Sequence, residues 1–210
     1  MPDQHWERMT NHTIAIVVGS LRDGSINRKV AKSLCALHDR LDCTMVEIGD
    51  LPLYNPDRDE KDVPKAWTDF REAIKAADGV LFVTPEYNRS IPGPLKNAID
   101  VGSRPYGKSA WAKKPAAIIT VSPGAIGGAL SNHALRQCCV FLDMPVMQQP
   151  EAYLGNVSDD KFGEDGLLAD ESLKKFTATI ANAFADWCDI IIGGRGKLLG
   201  DSEQQMKKGG

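Results

Sequence analysis

Hydrophobic and polar positions alternate along the chain in blocks rather than singly. From Ile14 to Gly19 the sequence reads IAIVVG, a short β-branched run with no polar residue, as expected of a strand buried on both faces. After the turn SLRDGS, apolar residues recur as Ile26, Val30, Leu34, Leu37 and Leu41, which is helical spacing. TMVEI predicts a second strand, and the Pro- and Asp-rich stretch GDLPLYNPDRDEKDVP predicts a loop. Trp67, Phe70 and Ile74 mark one face of a helix, and Gly79 to Thr84 is another buried strand. The turn PEYNRSIPGP then precedes a helix begun by Leu95, Ala98 and Ile99, and PAAIITVS reads as a fourth buried strand. The glycine turn SPGAIGG leads into a helix from about Ala129 to Leu142, and MPVMQQP reads as the last strand. Leu173, Phe176, Ile180, Ala183, Phe184, Trp187 and Ile191 predict a long amphipathic helix, followed by a frayed polar tail.

Five buried strands alternating with helices imply an α/β fold: a doubly wound five-stranded parallel sheet, helices on both faces, in the order 2-1-3-4-5. Ligands in such sheets sit at the carboxyl ends of the strands, where the order reverses. That point collects SLRDGS and PEYNRSIPGP, with SPGAIGG close by.

Composition narrows the class. At 210 residues and 22.9 kDa the chain suits one domain with spare ends. Hydrophobic residues at 42% and charged residues at 25% are ordinary for a globular protein, which excludes a disordered or fibrous chain. A net charge of -3 gives no general pull toward nucleic acid or acidic membranes. No apolar run approaches the ~20 residues of a membrane helix, and MPDQHWERMTNHT lacks a signal-peptide core, so a cytoplasmic protein with a flexible leader is expected. The five cysteines are odd in number and show no CxxC spacing, so most of them read as buried thiols, and a disulfide framework or zinc site is not expected. The four histidines have no metal-ligand spacing either, and no metal site is expected.

The three loops carry the candidate chemistry. GSLRDGSINRK leaves a strand and opens a helix, whose first N–H groups and dipole suit a phosphate. Ser20 and Ser25 offer hydroxyls, Ile26 the first helical amide, Asn27 an amide side chain and Arg22 a planar charged fork. Gly19 and Gly24 have GxxxxG spacing, but Ser25 and Ile26 stand where a nucleoside-triphosphate loop needs Lys and Ser/Thr, and no GxGxxG follows the first strand. One phosphate attached to something planar fits better. In the second loop Pro85, Pro92 and Pro94 stiffen a path that presents Tyr87 and Asn88. In the third, Ser122, Pro123, Gly124, Gly127 and Gly128 have little bulk, so a flat ring can approach the backbone.

GSLRDGSINRK, VTPEYNRSIPGPLKNAID and SPGAIGG together resemble the NADPH-dependent FMN reductase family, most closely its bacterial chromate and quinone reductases, from about Thr13 to Ile192. The resemblance implies a flavodoxin-like domain over 13–192, between a leader over 1–12 and a tail over 193–210. It implies tightly held, non-covalent FMN, reduced by NADPH or NADH and reoxidised by quinones, azo dyes or chromate. Ser20, Arg22, Ser25, Ile26 and Asn27 would hold the FMN phosphate; Pro85, Glu86, Tyr87 and Asn88 would line the isoalloxazine, mostly through backbone groups, with Ser90 nearby and Ser122 and Gly124 approaching from the third loop. One departure is Val101, where the family often has tryptophan after KNAID. No side chain is assigned as nucleophile or general base, because the flavin carries the chemistry.

Arg89, Lys96, Arg104, Lys108, Lys113 and Lys114 face only Asp100 between Asn88 and Pro115, which predicts a basic rim on the flavin mouth, with Arg104 as its substrate-steering residue. The helix from Ala129 is apolar on more than one face, and the family assembles, so a homotetramer or homodimer is expected. Two other functions suit the fold. A flavodoxin-type electron carrier is disfavoured by the basic rim, and a receiver module by the lack of carboxylates after IAIVVG.

Overall fold

The computed structural model describes residues 11–208, with side chains placed through residue 196. Five strands, β1 (His12–Val18), β2 (Leu41–Met45), β3 (Gly79–Thr84), β4 (Ala116–Val121) and β5 (Ala152–Leu154), form one parallel sheet in the order 2-1-3-4-5. The helices are α1 (Ile26–Ala36), α2 (Pro56–Lys61), α3 (Lys65–Ala76), α4 (Gly93–Gly102), α5 (Ala129–Phe141) and α6 (Glu171–Lys208).

Period-two geometry splits each strand's apolar run between two cores. Ile14, Ile16, Leu81, Val83 and Ile119 meet α1 and α6 through Val30, Leu34, Ile180 and Phe184. Ala15, Val17, Val80, Phe82 and Ile118 meet Trp67, Phe70, Leu95 and Leu135 on α3, α4 and α5, with Trp111 filling the space beside them. This two-sided burial is why β3 and β4 have no exposed residue. Val101 is also wholly buried in this second core, and its carbonyl accepts a hydrogen bond from Arg71 Nε at 2.9 Å.

Several sequence expectations shift. Leu41 begins β2 instead of ending α1, because α1 closes at Leu37, whose N–H returns to Leu34, and Leu41 pairs with His12. The loop after β2 contains the short helix α2, capped by Asn55 Oδ1 on the Asp57 N–H. The last strand is Ala152–Leu154 rather than MPVMQQP. Val146 makes a single bridge to Ala116, but Pro145 and Pro150 have no N–H to extend a ladder there. The expected polar tail from 193 lies within α6 as far as Lys208, since Gly193, Gly194 and Gly196 weaken a helix by only about 1 kcal/mol each and do not terminate it. Residues 1–10 of the expected leader, and 209–210, lie outside the described residues, and His12 already belongs to β1.

The cysteine reading also needs correction. Cys35 and Cys43 form a disulfide, because the end of α1 and the middle of β2 bring their Cα atoms to 6.1 Å. Cys139 and Cys188 are buried thiols as expected, and Cys138 is half-buried.

Candidate functional site

Parallel pairing sets Val18 beside Val83 and Thr84 beside Thr120, so the loops after β1, β3 and β4 leave the sheet at one edge. Gly19 makes the first of these exits possible. Its N–H bonds the Val83 carbonyl at 2.9 Å, and a Cβ there would lie 2.1 Å from Thr84 Oγ1. Only glycine lets the β1 exit lie flat against β3.

Ser20, Ser25 and Asn27 are then buried around the start of α1, while Arg22 is exposed and Ile26 half-buried. Ser25 is the N-cap, its Oγ accepting the Arg28 N–H at 3.3 Å, which leaves its hydroxyl proton for another acceptor. Asn27 is the unusual member. It is 3% exposed, and its Oδ1 is enclosed with no hydrogen-bond partner. A buried amide oxygen without a partner costs stability, and only a hydrogen-bond donor can satisfy it. Among the described residues Arg22 makes no ion pair, whereas the neighbouring Arg28 and Lys29 are held by Glu47 and Asp159. Hydrogen bonding to Arg28 lowers the Glu47 pKa and that to Lys29 lowers the Asp159 pKa, so those two acids stay ionised beside the loop.

The second loop is a tight reversal. Tyr87 and Ser90 exchange N–H···O bonds of 3.0 Å each, and the intervening Asn88 and Arg89 have φ of 50° and 66°, the signature of a type I′ turn. Asn88 and Ser90 are exposed, and Tyr87 is 45% exposed despite its large ring. Glu86 points elsewhere. Its Oε2 accepts the N–H groups of Leu130 and Ser131 at 3.0 and 3.2 Å, capping α5, while Ser131 Oγ bonds the Pro85 carbonyl at 3.1 Å. Pro85 and Glu86 therefore lash the second loop to the helix that follows the third.

The third loop turns through Gly127 and Gly128, with φ of 65° and 77°. Ser122 Oγ accepts the Gly124 N–H at 3.0 Å. Its shape is fixed by a segment that the sequence reading missed. Ser122 N–H bonds Leu154, Val157 N–H returns to Ser122, and Asn156 N–H reaches the Gly124 carbonyl. Gly155 permits this approach, since a Cβ there would meet the Ala125 carbonyl at 2.3 Å. The signal was the small LGN step directly after β5.

The predicted basic rim does not assemble within the subunit. Helix α4 runs back antiparallel to the sheet, so Arg104 and Lys108 follow its far end at the amino edge of the strands. Arg104 lines a separate concavity of about 390 Å³ with Ser103, Tyr106, Phe141 and Asp143. Lys113 and Lys114 immediately precede β4, and Lys114 Nζ bonds the carbonyl of Lys75 at that same edge. Lys96 is paired with Asp100 at 2.7 Å.

Comparison with known proteins agrees with this geometry. The sequence profile of the NADPH-dependent FMN reductases matches residues 12–159. A quinone reductase of Pseudomonas putida is 56% identical over 180 residues, covering 85% of this chain and 96% of that protein. A 2-hydroxy-1,4-benzoquinone reductase of a Burkholderia species is 45% identical over 175 residues, covering 83% and 94%. The structure of FerB, a flavoenzyme NAD(P)H:(acceptor) oxidoreductase from Paracoccus denitrificans, superimposes with a TM-score of 0.80 at 42% identity, covering 85% of this chain and 97% of that one.

Proposed function

Because the chain belongs to the NADPH-dependent FMN reductase family, we propose that it is an NAD(P)H-dependent quinone reductase whose FMN sits across the three loops at the carboxyl edge of the sheet. The observation that carries the reading is the group of donors at the N-terminus of α1: the buried Ser20 hydroxyl, the Ser25 cap whose hydroxyl proton can still donate, and the first-turn N–H groups. A phosphate monoester accepts from such donors, and Arg22 adds a charged fork beside them.

Ser20, Arg22, Ser25, Asn27 and the Ile26 amide hold the phosphate in this reading. Bound FMN supplies a ring that takes hydride from the nicotinamide and returns the electrons to an acceptor. In this reading Tyr87, Asn88 and Ser90 of the type I′ turn would flank the ring, and Ser122 and Gly124 would approach it from the thin third loop. Pro85 and Glu86 line the ring through their backbone, while the Glu86 carboxylate and the Pro85 carbonyl fix the second loop against α5. Nicotinamide donor and acceptor occupy the same mouth in turn, which gives ping-pong kinetics. Quinones lead the acceptors because both curated relatives described above are named for them. Chromate remains a secondary acceptor.

Exposed apolar residues favour assembly as a homodimer or homotetramer. Val140 and Phe141 at the end of α5 are 79% and 86% exposed, and Tyr106 is 88% exposed. Such side chains are commonly covered by a second subunit. Among the described residues no helix is long and apolar enough to cross a membrane, and a cytoplasmic location fits the proposed consumption of NAD(P)H.

The deciding experiment is anaerobic addition of NADPH or NADH to purified protein reconstituted with FMN. The yellow absorbance should bleach and return on adding a benzoquinone. Protein that binds no FMN refutes the reading; flavin that is bound but never reduced favours an electron carrier instead. A monomer by light scattering at micromolar concentration would remove the assembly.

A further inference from the structure

Among the described residues, Arg22 and Arg89 are loop cations at the carboxyl edge without a close carboxylate partner. Arg28, Lys29 and Lys96 are paired with Glu47, Asp159 and Asp100 at 2.6–2.8 Å. Arg22 lies in the phosphate loop and Arg89 at the tip of the second loop. Arg89 comes no closer than 3.9 Å to its nearest acid, Glu86, whose other oxygen is engaged by two α5 amides. Its side chain is 68% exposed.

Its backbone is equally informative. Arg89 has φ of 66°, a conformation uncommon for residues other than Gly, Asn and Asp. Asparagine would suit this second turn position better, as Asn88 does the first, so the turn itself gives no reason for arginine. What arginine adds is a planar cation at the tip of the turn, two residues from the exposed Tyr87.

We propose that Arg89 receives the phosphate oxyanions of the nicotinamide co-substrate at the flavin mouth. The assignment rests on the FMN reading of the loops. With Arg22 committed to the cofactor's phosphate, Arg89 offers that edge a cation for a second anion. A reduced dinucleotide brings a pyrophosphate, and NADPH a further 2′-phosphate.

The test uses FMN-loaded protein and two variants. Arg89→Asn removes the charge while tolerating the left-handed backbone, and Arg89→Lys keeps the charge without the fork. Calorimetric binding of adenosine 2′,5′-bisphosphate should weaken about tenfold in R89N, the loss of one charge-assisted contact, and recover in part in R89K. Binding of uncharged adenosine should not change. The KM for NADPH should rise by a similar factor while kcat and FMN content hold. An equal rise for NADH assigns the contact to the pyrophosphate, and a rise confined to NADPH assigns it to the 2′-phosphate. Unchanged bisphosphate affinity and KM in R89N that retains FMN overturns the proposal. So does loss of FMN from R89N, which would place Arg89 in the cofactor cradle. Wild-type protein that takes up no FMN refutes the underlying reading, and the assignment with it.

Discussion

Gly19 and Gly24 bracket the phosphate loop with identical chemistry and opposite surroundings, so alanine at each gives a sharp comparison. A Cβ on Gly19 would lie 2.1 Å from Thr84 Oγ1, 2.8 Å from Thr84 Cβ and 3.2 Å from Leu95 Cδ2. None of these can retreat easily. Thr84 is wholly buried and its hydroxyl bonds the Pro85 carbonyl at 3.1 Å, Leu95 is wholly buried, and the Gly19 N–H is tied to Val83. Restoring a contact of about 3.5 Å requires the β1 and β3 exits to part by roughly an ångström. Overpacking of this kind costs about 3 kcal/mol, which for a domain of this size lowers Tm by roughly 6–12 °C. Since Gly19 leads directly into Ser20, FMN affinity should fall at least about tenfold as well. At Gly24 nothing lies within 4 Å and the backbone is not left-handed. Alanine there should be neutral or stabilise by about 0.4–1 kcal/mol through the unfolded chain. Thermal melts with and without FMN, and fluorescence titration of the cofactor, read both effects. A Gly19→Ala protein that melts within about 2 °C of wild type and binds FMN normally would refute the packing argument.

Glu86→Ala removes the acceptor for two α5 amides and should cost about 1–3 kcal/mol in urea unfolding, with Glu86→Gln milder; an unchanged midpoint for the alanine variant would rule out the cap. Burial pushes the Cys139 and Cys188 thiols up to about 12, so the unfolded chain ionises them first as pH rises. Their contribution is intact below about pH 9 and is lost between about pH 9 and 12, at no more than about 1.4 kcal/mol per pH unit for each thiol. Cys188→Ala should flatten that alkaline decline, and an identical slope would count against it. Of five cysteines two are paired, so unreduced, denatured protein should titrate three thiols; five would show the Cys35–Cys43 bond absent from the isolated protein.

Much of the fold was legible because burial on both faces writes itself into the sequence as unbroken apolar runs. Gly79–Thr84 and Ala116–Val121 begin and end where GVLFVT and AAIITV do. Elements with one exposed side were harder. The edge strand β2 keeps only Leu41 buried, so its pattern LDCTM resembles a helix end, and the three-residue β5 is too short for any period to show. The phosphate loop was legible through residue type alone, but the pairing of Cys35 with Cys43 depends on where α1 stops, which a helical period running on to Leu41 concealed. Glu86 was expected to line the flavin mostly through its backbone, as part of PEYN. Nothing within that string indicates that its carboxylate turns away to the amides of a helix more than forty residues on.

The basic rim shows why sequence proximity misleads in a doubly wound fold. Arg89 and Arg104 are fifteen positions apart, and a charge count treats them as one patch. Ten residues of α4 cover about 15 Å, most of the roughly 20 Å height of a six-residue strand, and the helix runs from the carboxyl edge to the amino edge. Every crossover helix in this fold performs the same transport, so charge before α4 and charge after it serve opposite ends of the sheet. The electrostatics of the mouth therefore belong to residues that precede a helix, such as Arg22 and Arg89. Those that follow one, Arg104 and Lys108 after α4, belong to the opposite edge, where Arg104 shares a concavity with the exposed Phe141 and Tyr106. Exchanging charge at Arg104 should then alter assembly before it alters the FMN-bound mouth of the same subunit, whereas Arg89→Asn should do the reverse.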